Sequence, residues 1–308
     1  MKKFLSTITA ILFSACFLFP TLTSAEDRPD DEGLEAGKNI EKFYDTLPQA
    51  KGNYKSSARP ILIEGAMNIE TEVFIRALKS PVVYKDLNYL FVAGSYKNYP
   101  VVIVRTEQGM ANAAASTALA IKKFNPVAVI NQGTAGGHDA NIKVNDIVIG
   151  ERAIDFTAVK TAYKAQGEGV DLTDQEMLGT FAYDKKTDTF QNYKEYFADP
   201  TLLKISKAVA DSHGEFKVVS GTISTSDAWL TNVDYTNFLH EKYGSSCEEM
   251  ETSEAAQICK NADIPFIGIR SISNNITNGE NFDDSVADYN QNFVLLMIDE
   301  YINSISKK

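Results

Sequence analysis

Three short stretches of this chain hold side chains that could do chemistry together: "GAMNIETE" (65–72), "EEMETSEAA" (248–256) and "RSISNN" (270–275). In the first, carboxylates lie just past an apolar run; in the second, three of them surround a methionine at a predicted helix start. The third closes another apolar run, Ile267 to Ile272, with a serine and two asparagines. Carboxylates can move protons or accept hydrogen bonds from a diol, whereas amides only donate and accept hydrogen bonds. A fourth stretch, "NQGTAGG" (131–137), reads as a Gly-rich turn after a strand, where small residues let a ligand approach the backbone. It is neither a dinucleotide fingerprint nor a P-loop, because no G-x-G-x-x-G opens a helix and no G-K-[ST] closes it. The acids of 248–256 also fit ordinary helix N-terminal charge, which the macrodipole favours.

Other chemistries lack their residues. The histidines are His138, His213 and His240, widely spaced, and no C-x-x-C or G-x-S-x-G occurs. Catalysis is therefore expected to run on carboxylates and amides, with no metal, no cofactor and no covalent nucleophile. Outside Cys16 the chain has only Cys247 and Cys259, too few for a disulfide scaffold, so both are expected in or near the core. The formal charge is −11, and no block of Lys and Arg forms a basic stripe, which argues against nucleic acid as a partner.

The elements that must position these residues follow from patterning. Residues 1–25 read as an export signal: Lys2 and Lys3, an apolar run from Phe4 to Phe19, then small residues ending at Ala25. An uncleaved anchor and a lipid attachment at Cys16 are the alternatives, and the apolar run is short for a span. An exported protein, periplasmic or extracellular, with no other membrane contact is expected. Residues 26–57 read as a flexible, charge-rich leader, with a helix near 40–47 that could dock on the body. From residue 58 to 308, short apolar runs alternate with helical patterns. Strands are expected at 61–66, 89–96, 100–106, 127–132, 146–155, 217–224 and 267–272. Helices are expected at about 70–78, 110–124, 200–211, 252–262 and 284–305. This alternation predicts a single α/β domain with a mixed, largely parallel central β-sheet flanked by helices, and a polar excursion over about 160–198.

Seven segments in order resemble the nucleoside phosphorylase/nucleosidase superfamily: "GAMNIE" (65–70), "EQGMANAAA" (107–115), "NQGTAGG" (131–137), "VNDIVIG" (144–150), "ISTSDAWL" (223–230), "EEMETSEAA" (248–256) and "IRSIS" (269–273). Within it the chain is most similar to the methylthioadenosine/S-adenosylhomocysteine nucleosidases. The resemblance implies a purine nucleoside as substrate and a homodimer as the assembly. It makes Glu70 the carboxylate that activates the water attacking the ribose C1′, with Glu72 the competing candidate. It sets Glu249, Met250 and Glu251 at the ribose, with Met250 against the sugar and Glu251 on its hydroxyls. Thr134, Ala135 and Gly136 would lie beside base and sugar. Trp229 would sandwich the base, the backbone of Leu230 would read its edge, and Phe282 would close over the 5′ side.

Two departures from the pattern matter. Phosphorylases of the superfamily clamp phosphate with arginines, but Asn131 stands where the Gly-rich segment's arginine would be. Hydrolysis is therefore expected, with Arg105 and Arg270 keeping phosphorolysis as the alternative. The adenine-releasing nucleosidases end the strand of the third stretch with Ser-Asp, the aspartate protonating the leaving base. Here the pair is Ser273–Asn274. An amide delivers no proton but can donate a hydrogen bond to the base, or to a 6-oxo group that an ionised aspartate would repel. A purine nucleosidase with altered, 6-oxopurine preference is one reading. An ordinary adenine-type enzyme, a binding protein that kept the pocket, and replacement of the polar group by Asn275 or Asp283 are the others.

Overall fold

In the computed structural model, residues 43–306 are described. The expected export signal and the first part of the expected leader lie outside them. The leader expected up to Ser57 is structured from Phe43 onward. One helical turn over 43–46 buries Tyr44, whose hydroxyl meets Thr71 Oγ1 at 3.3 Å while the Arg105 guanidinium stacks 5.5 Å from its ring centre. The backbone of 48–50 then bonds Val83, and Tyr54 packs edge-on against Tyr84 and Phe124. Composition hid this because a few aromatic anchors hold an otherwise polar segment.

The strands are β1 (Ile61–Gly65), β2 (Lys79–Asp86), β3 (Tyr89–Tyr96), β4 (Tyr99–Arg105), β5 (Ala128–Gly137) and β6 (Ile147–Asp155). After β6, the excursion holds two small hairpins, β7 (Val159–Thr161) with β8 (Gln175–Met177) and β9 (Thr180–Asp184) with β10 (Thr189–Tyr193). The edge strand β11 (Tyr196–Phe197), β12 (Val218–Thr225), β13 (Ser245–Glu249) and β14 (Phe266–Asn274) follow. The helices are α1 (Glu72–Ala77), α2 (Met110–Phe124), α3 (Pro200–Ser212), α4 (Val233–Tyr243), α5 (Thr252–Asn261) and α6 (Val286–Ser306).

Ten of these strands make one sheet in the order β11-β6-β12-β13-β5-β1-β4-β3-β2, with β14 pairing both β5 and β6. β14 thereby closes β5, β13, β12 and β6 into a ring, and the sheet continues from β5 as an open wing. Pairs β1/β4, β1/β5, β5/β14, β6/β12 and β12/β13 are parallel, whereas β2/β3, β3/β4, β5/β13, β6/β14 and β6/β11 are antiparallel. The architecture is the mixed α/β domain expected.

Every residue of β1 and of β14 is buried, as continuous apolar runs covered on both faces require. Helix α6 lies along β14 and β5, and α2 packs on α5. One expectation needs correcting. The Gly-rich segment is no turn: β5 runs through it to Gly137, pairing β14 on one side and β13 on the other. Its glycines leave room for neighbouring side chains, the usual reason for glycine inside a strand.

Candidate active site

Glu70 sits in the turn between β1 and α1, 3 % exposed. Its Oε2 accepts the N–H groups of Ala66 and Met67 at 2.9 and 3.0 Å; its Oε1 accepts the N–H of Thr134 at 2.8 Å and the Thr134 hydroxyl at 3.2 Å. A Cβ on Gly133 would stand 2.6 Å from Oε1, so only glycine lets the carboxylate lie on β5. These four bonds fill the carboxylate's acceptor capacity. The hydroxyl bond is the longest and the one that bond rotation can release, so Thr134 can yield its place to a water. Glu72, the competing candidate, stands in the first turn of α1 and pairs with Arg76 on the surface.

The β13–α5 junction carries the second acidic group. Glu249 faces inward: its Oε2 accepts the N–H groups of Glu251 and Thr252 at 3.0 and 2.9 Å, the Thr252 hydroxyl, and Arg270; its Oε1 takes Thr225. The expected ribose role does not fit Glu249, because its oxygens are engaged by the protein itself. Glu251 accepts the Gly109 N–H at 2.9 Å and lies 3.9 Å from the Arg270 guanidinium. Burial raises its pKa most, the charges of Glu249 and Glu70 add to the rise, and Arg270 with the Gly109 N–H oppose it. Either protonation form can bond a diol. Gly109 has φ of +102°, which glycine tolerates, and it opens α2 so that its N–H meets Glu251 and the next, from Met110, meets Asp227 at 2.7 Å. Met250 is half-buried between Glu249 and Glu251.

Both candidate phosphate-binding arginines are engaged elsewhere. Arg270 is buried, donating to Glu249, to Asn131 and to the carbonyl of Ile269. Arg105 pairs with Glu107 at 2.6 Å and reaches Asn68 Oδ1 at 3.3 Å. Asn131 couples Arg270 to Glu64, donating to Glu64 Oε2 at 3.1 Å. Burial lifts Glu64 to about 7, against the lowering effect of bonds from Asn131 and Thr117 and the charge of Arg270.

The end of β14 forms the third wall. Ser273 Oγ lies 3.1 Å from Asn274 Oδ1 and 3.2 Å from the Ala135 carbonyl. Asn274 pairs with Gly136 in register, and its Nδ2 is turned toward that bare backbone. Asn275 points the other way: its amide donates to the carbonyls of Asp139 and Ile142 and its oxygen accepts from Thr277, so it organises a turn. Asp283 caps Ser285. Of the three, Asn274 is the one whose amide lies against Gly136. Trp229 and Phe282 are exposed and face each other, ring centres 5.5 Å apart.

The N–H of Leu230, expected to read the base, instead donates to Glu248 Oε1 at 3.0 Å. Glu248, which in sequence looks like helix N-terminal charge, is a strand residue whose carboxylate lies beside Leu230. The missed signal was the strand itself, since "SSCEE" alternates poorly and is short.

The chain is similar to several known proteins. A nucleosidase named for 5′-methylthioadenosine and S-adenosylhomocysteine, from Shewanella frigidimarina, is 30% identical over 217 residues, covering 70% of this chain and 86% of that one. The crystal structure of such a nucleosidase from Colwellia psychrerythraea with adenine is 26% identical, with a TM-score of 0.62 over 80% of this chain and 96% of that one. The futalosine hydrolase of Helicobacter pylori shares the fold at 21% identity, with a TM-score of 0.62 over 79% and 98% of the two chains. The family model described as the phosphorylase superfamily matches residues 60–303, and the chain belongs to that superfamily.

Proposed function

We propose that this protein hydrolyses the N-glycosidic bond of a purine nucleoside. The observation that carries the reading is Glu70: a buried carboxylate fixed by three backbone N–H groups, with its fourth bond on a rotatable hydroxyl. Water attacks C1′ and its proton passes to Glu70; the electrons of the C1′–N9 bond go to the base. Charge spreading into the departing base is met by the hydrogen bond from Asn274, and the base takes its proton from solvent. Glu251 holds the ribose hydroxyls, and the acids around the sugar stabilise the positive charge growing on the ring. Met250 packs on the sugar, while Thr134, Ala135 and Gly136 supply the wall between sugar and base. Trp229 and Phe282 cover the base and the 5′ side. Water is favoured over phosphate because Arg105 and Arg270 are bound to Glu107 and Glu249, leaving a phosphate dianion without its clamps.

The test is a panel of inosine, guanosine, adenosine, methylthioadenosine and S-adenosylhomocysteine, each with and without phosphate, followed for base release. Release independent of phosphate is expected. No release from any of them refutes the reading, and release only with phosphate replaces it by phosphorolysis.

The proposal extends to setting and assembly. The signal pattern of residues 1–25 supports an exported enzyme that acts on external nucleosides, tested by fractionating cells. The exposed aromatic side chains Trp229 and Phe282 beside the site support a homodimer in which a second copy covers them, tested by light scattering.

A further inference from the structure

Strands β13, β5 and β14 set Glu248, Gly136 and Asn274 in one row across the sheet. A Cβ at Gly136 would stand 3.5 Å from Asn274 Nδ2 and 3.5 Å from Glu248 Oε1, so a donor and an acceptor flank bare backbone. Glu248 is 9 % exposed. Its Oε1 takes the Leu230 N–H and keeps a second lone pair. Its Oε2 is buried without a hydrogen-bond partner and faces His138 Nε2 at 3.5 Å. The imidazole is held from its other side, Nδ1 lying 2.8 Å from Ser245 Oγ. His138 Nε2 is likewise without another partner, so these two atoms answer each other, and Oε1 is the oxygen left beside Gly136 to meet a ligand.

We propose that Glu248 is a specificity residue which, together with Asn274, selects a 6-oxopurine as the base released. The proposal rests on the nucleosidase reading and names its substrate class. A 6-oxopurine carries a proton on N1 and an oxygen at C6. The N1–H donates to Glu248, while the oxygen and N7 accept from the Asn274 amide. In a 6-aminopurine N1 is a bare acceptor that faces a carboxylate, and the backbone N–H that could have served it is held by Glu248. The edge of the site is thus acceptor-and-donor in the order that a lactam base presents donor-and-acceptor. A buried polar group left facing its own kind is what makes such discrimination large.

The experiment is calorimetric binding of hypoxanthine, adenine and N1-methylhypoxanthine to the full chain, repeated with Glu248→Gln. Hypoxanthine is expected to bind about tenfold or more tighter than adenine, as a charge-assisted hydrogen bond implies, and N1-methylation to remove that advantage. Glutamine can turn its NH₂ toward N1, so Glu248→Gln is expected to close the gap between the two bases. Adenine binding as tightly as hypoxanthine, indifference to N1-methylation, or no binding of any base overturns the proposal. The N1-methyl comparison needs no variant, so a misfolded Glu248→Gln leaves the test intact. Binding requires no bond cleavage. Failure of base release therefore sinks the nucleosidase reading, whereas release with adenine preferred sinks only this assignment.

Discussion

Replacing Glu70 with Gln keeps the side chain's shape, yet the surroundings make it a severe change. The carboxylate accepts from Ala66 and Met67 on one oxygen and from the N–H and hydroxyl of Thr134 on the other. Glutamine has one acceptor. If its oxygen faces Ala66 and Met67, its NH₂ faces Thr134, whose hydroxyl can rotate to accept but whose N–H cannot. One buried donor is then orphaned, at about 1–3 kcal/mol. The opposite orientation orphans two, so the first is adopted. Thermal denaturation should register a fall of about 2–4 °C for each kcal/mol in a domain of this size. Turnover should fall further, by about 10²–10⁴-fold, because the amide cannot take a proton from water. Steady-state base release gives the rate, and binding of the free base by calorimetry confirms an intact pocket. The control is Glu72→Gln, whose surface pair with Arg76 predicts stability within about 0.5 kcal/mol of wild type and an unchanged rate. A Glu70→Gln protein that keeps more than about a tenth of the rate refutes the reasoning, since general-base removal is far larger than that.

Three further outcomes follow from the same geometry. Asn274→Asp should raise adenosine cleavage by about tenfold or more by supplying a proton donor to the leaving base; base release measures it, and no gain refutes the role given to this position. Arg270→Met should destabilise the fold by about 3–5 kcal/mol, because Glu249 would be left buried and uncompensated. Urea unfolding measures this, and a loss below about 1 kcal/mol would show the pair to be dispensable. Stability should fall as pH rises from about 4.5 through 7 to 8: burial holds Glu64 at about 7 and Glu254 at about 8, so the folded state binds protons that the unfolded chain has released. For Glu64 the effect is on the order of 3 kcal/mol between these limits. Glu64→Gln, whose amide can bond both Asn131 and a rotated Thr117 hydroxyl, should flatten the profile; an unaltered slope in denaturation at pH 5 and 8 would refute the assignment.

Much of the molecule was legible from patterning. The apolar runs of β1, β3, β4 and β14 and the alanine-rich α2 are where periodicity placed them, since long uninterrupted patterns leave little choice of element. Strand β13 and helix α4 were not. "SSCEE" is short and polar, and it is a strand because β12 and β5 offer their edges on either side. The Gly-rich stretch is a strand and not a turn for a related reason. Glycines signal turns locally, whereas Gly133 and Gly137 are bare because Glu70 and Asn275 lie against them from distant segments.

The sequence by itself determined the class of fold and, through the motifs it shares with the superfamily, the candidacy of Glu70, Glu251 and Asn274, because a fold class and a motif depend on residue type and on order along the chain. Only the tertiary structure decided between equals. It gave Glu70 its backbone cradle while leaving Glu72 in water, and it turned Glu249 and Arg270 upon each other. It also set Glu248 across bare Gly136 from Asn274. Each of those outcomes depends on which strands become neighbours, and β14, by closing the ring between β5 and β6, determines that through contacts more than a hundred residues apart in sequence.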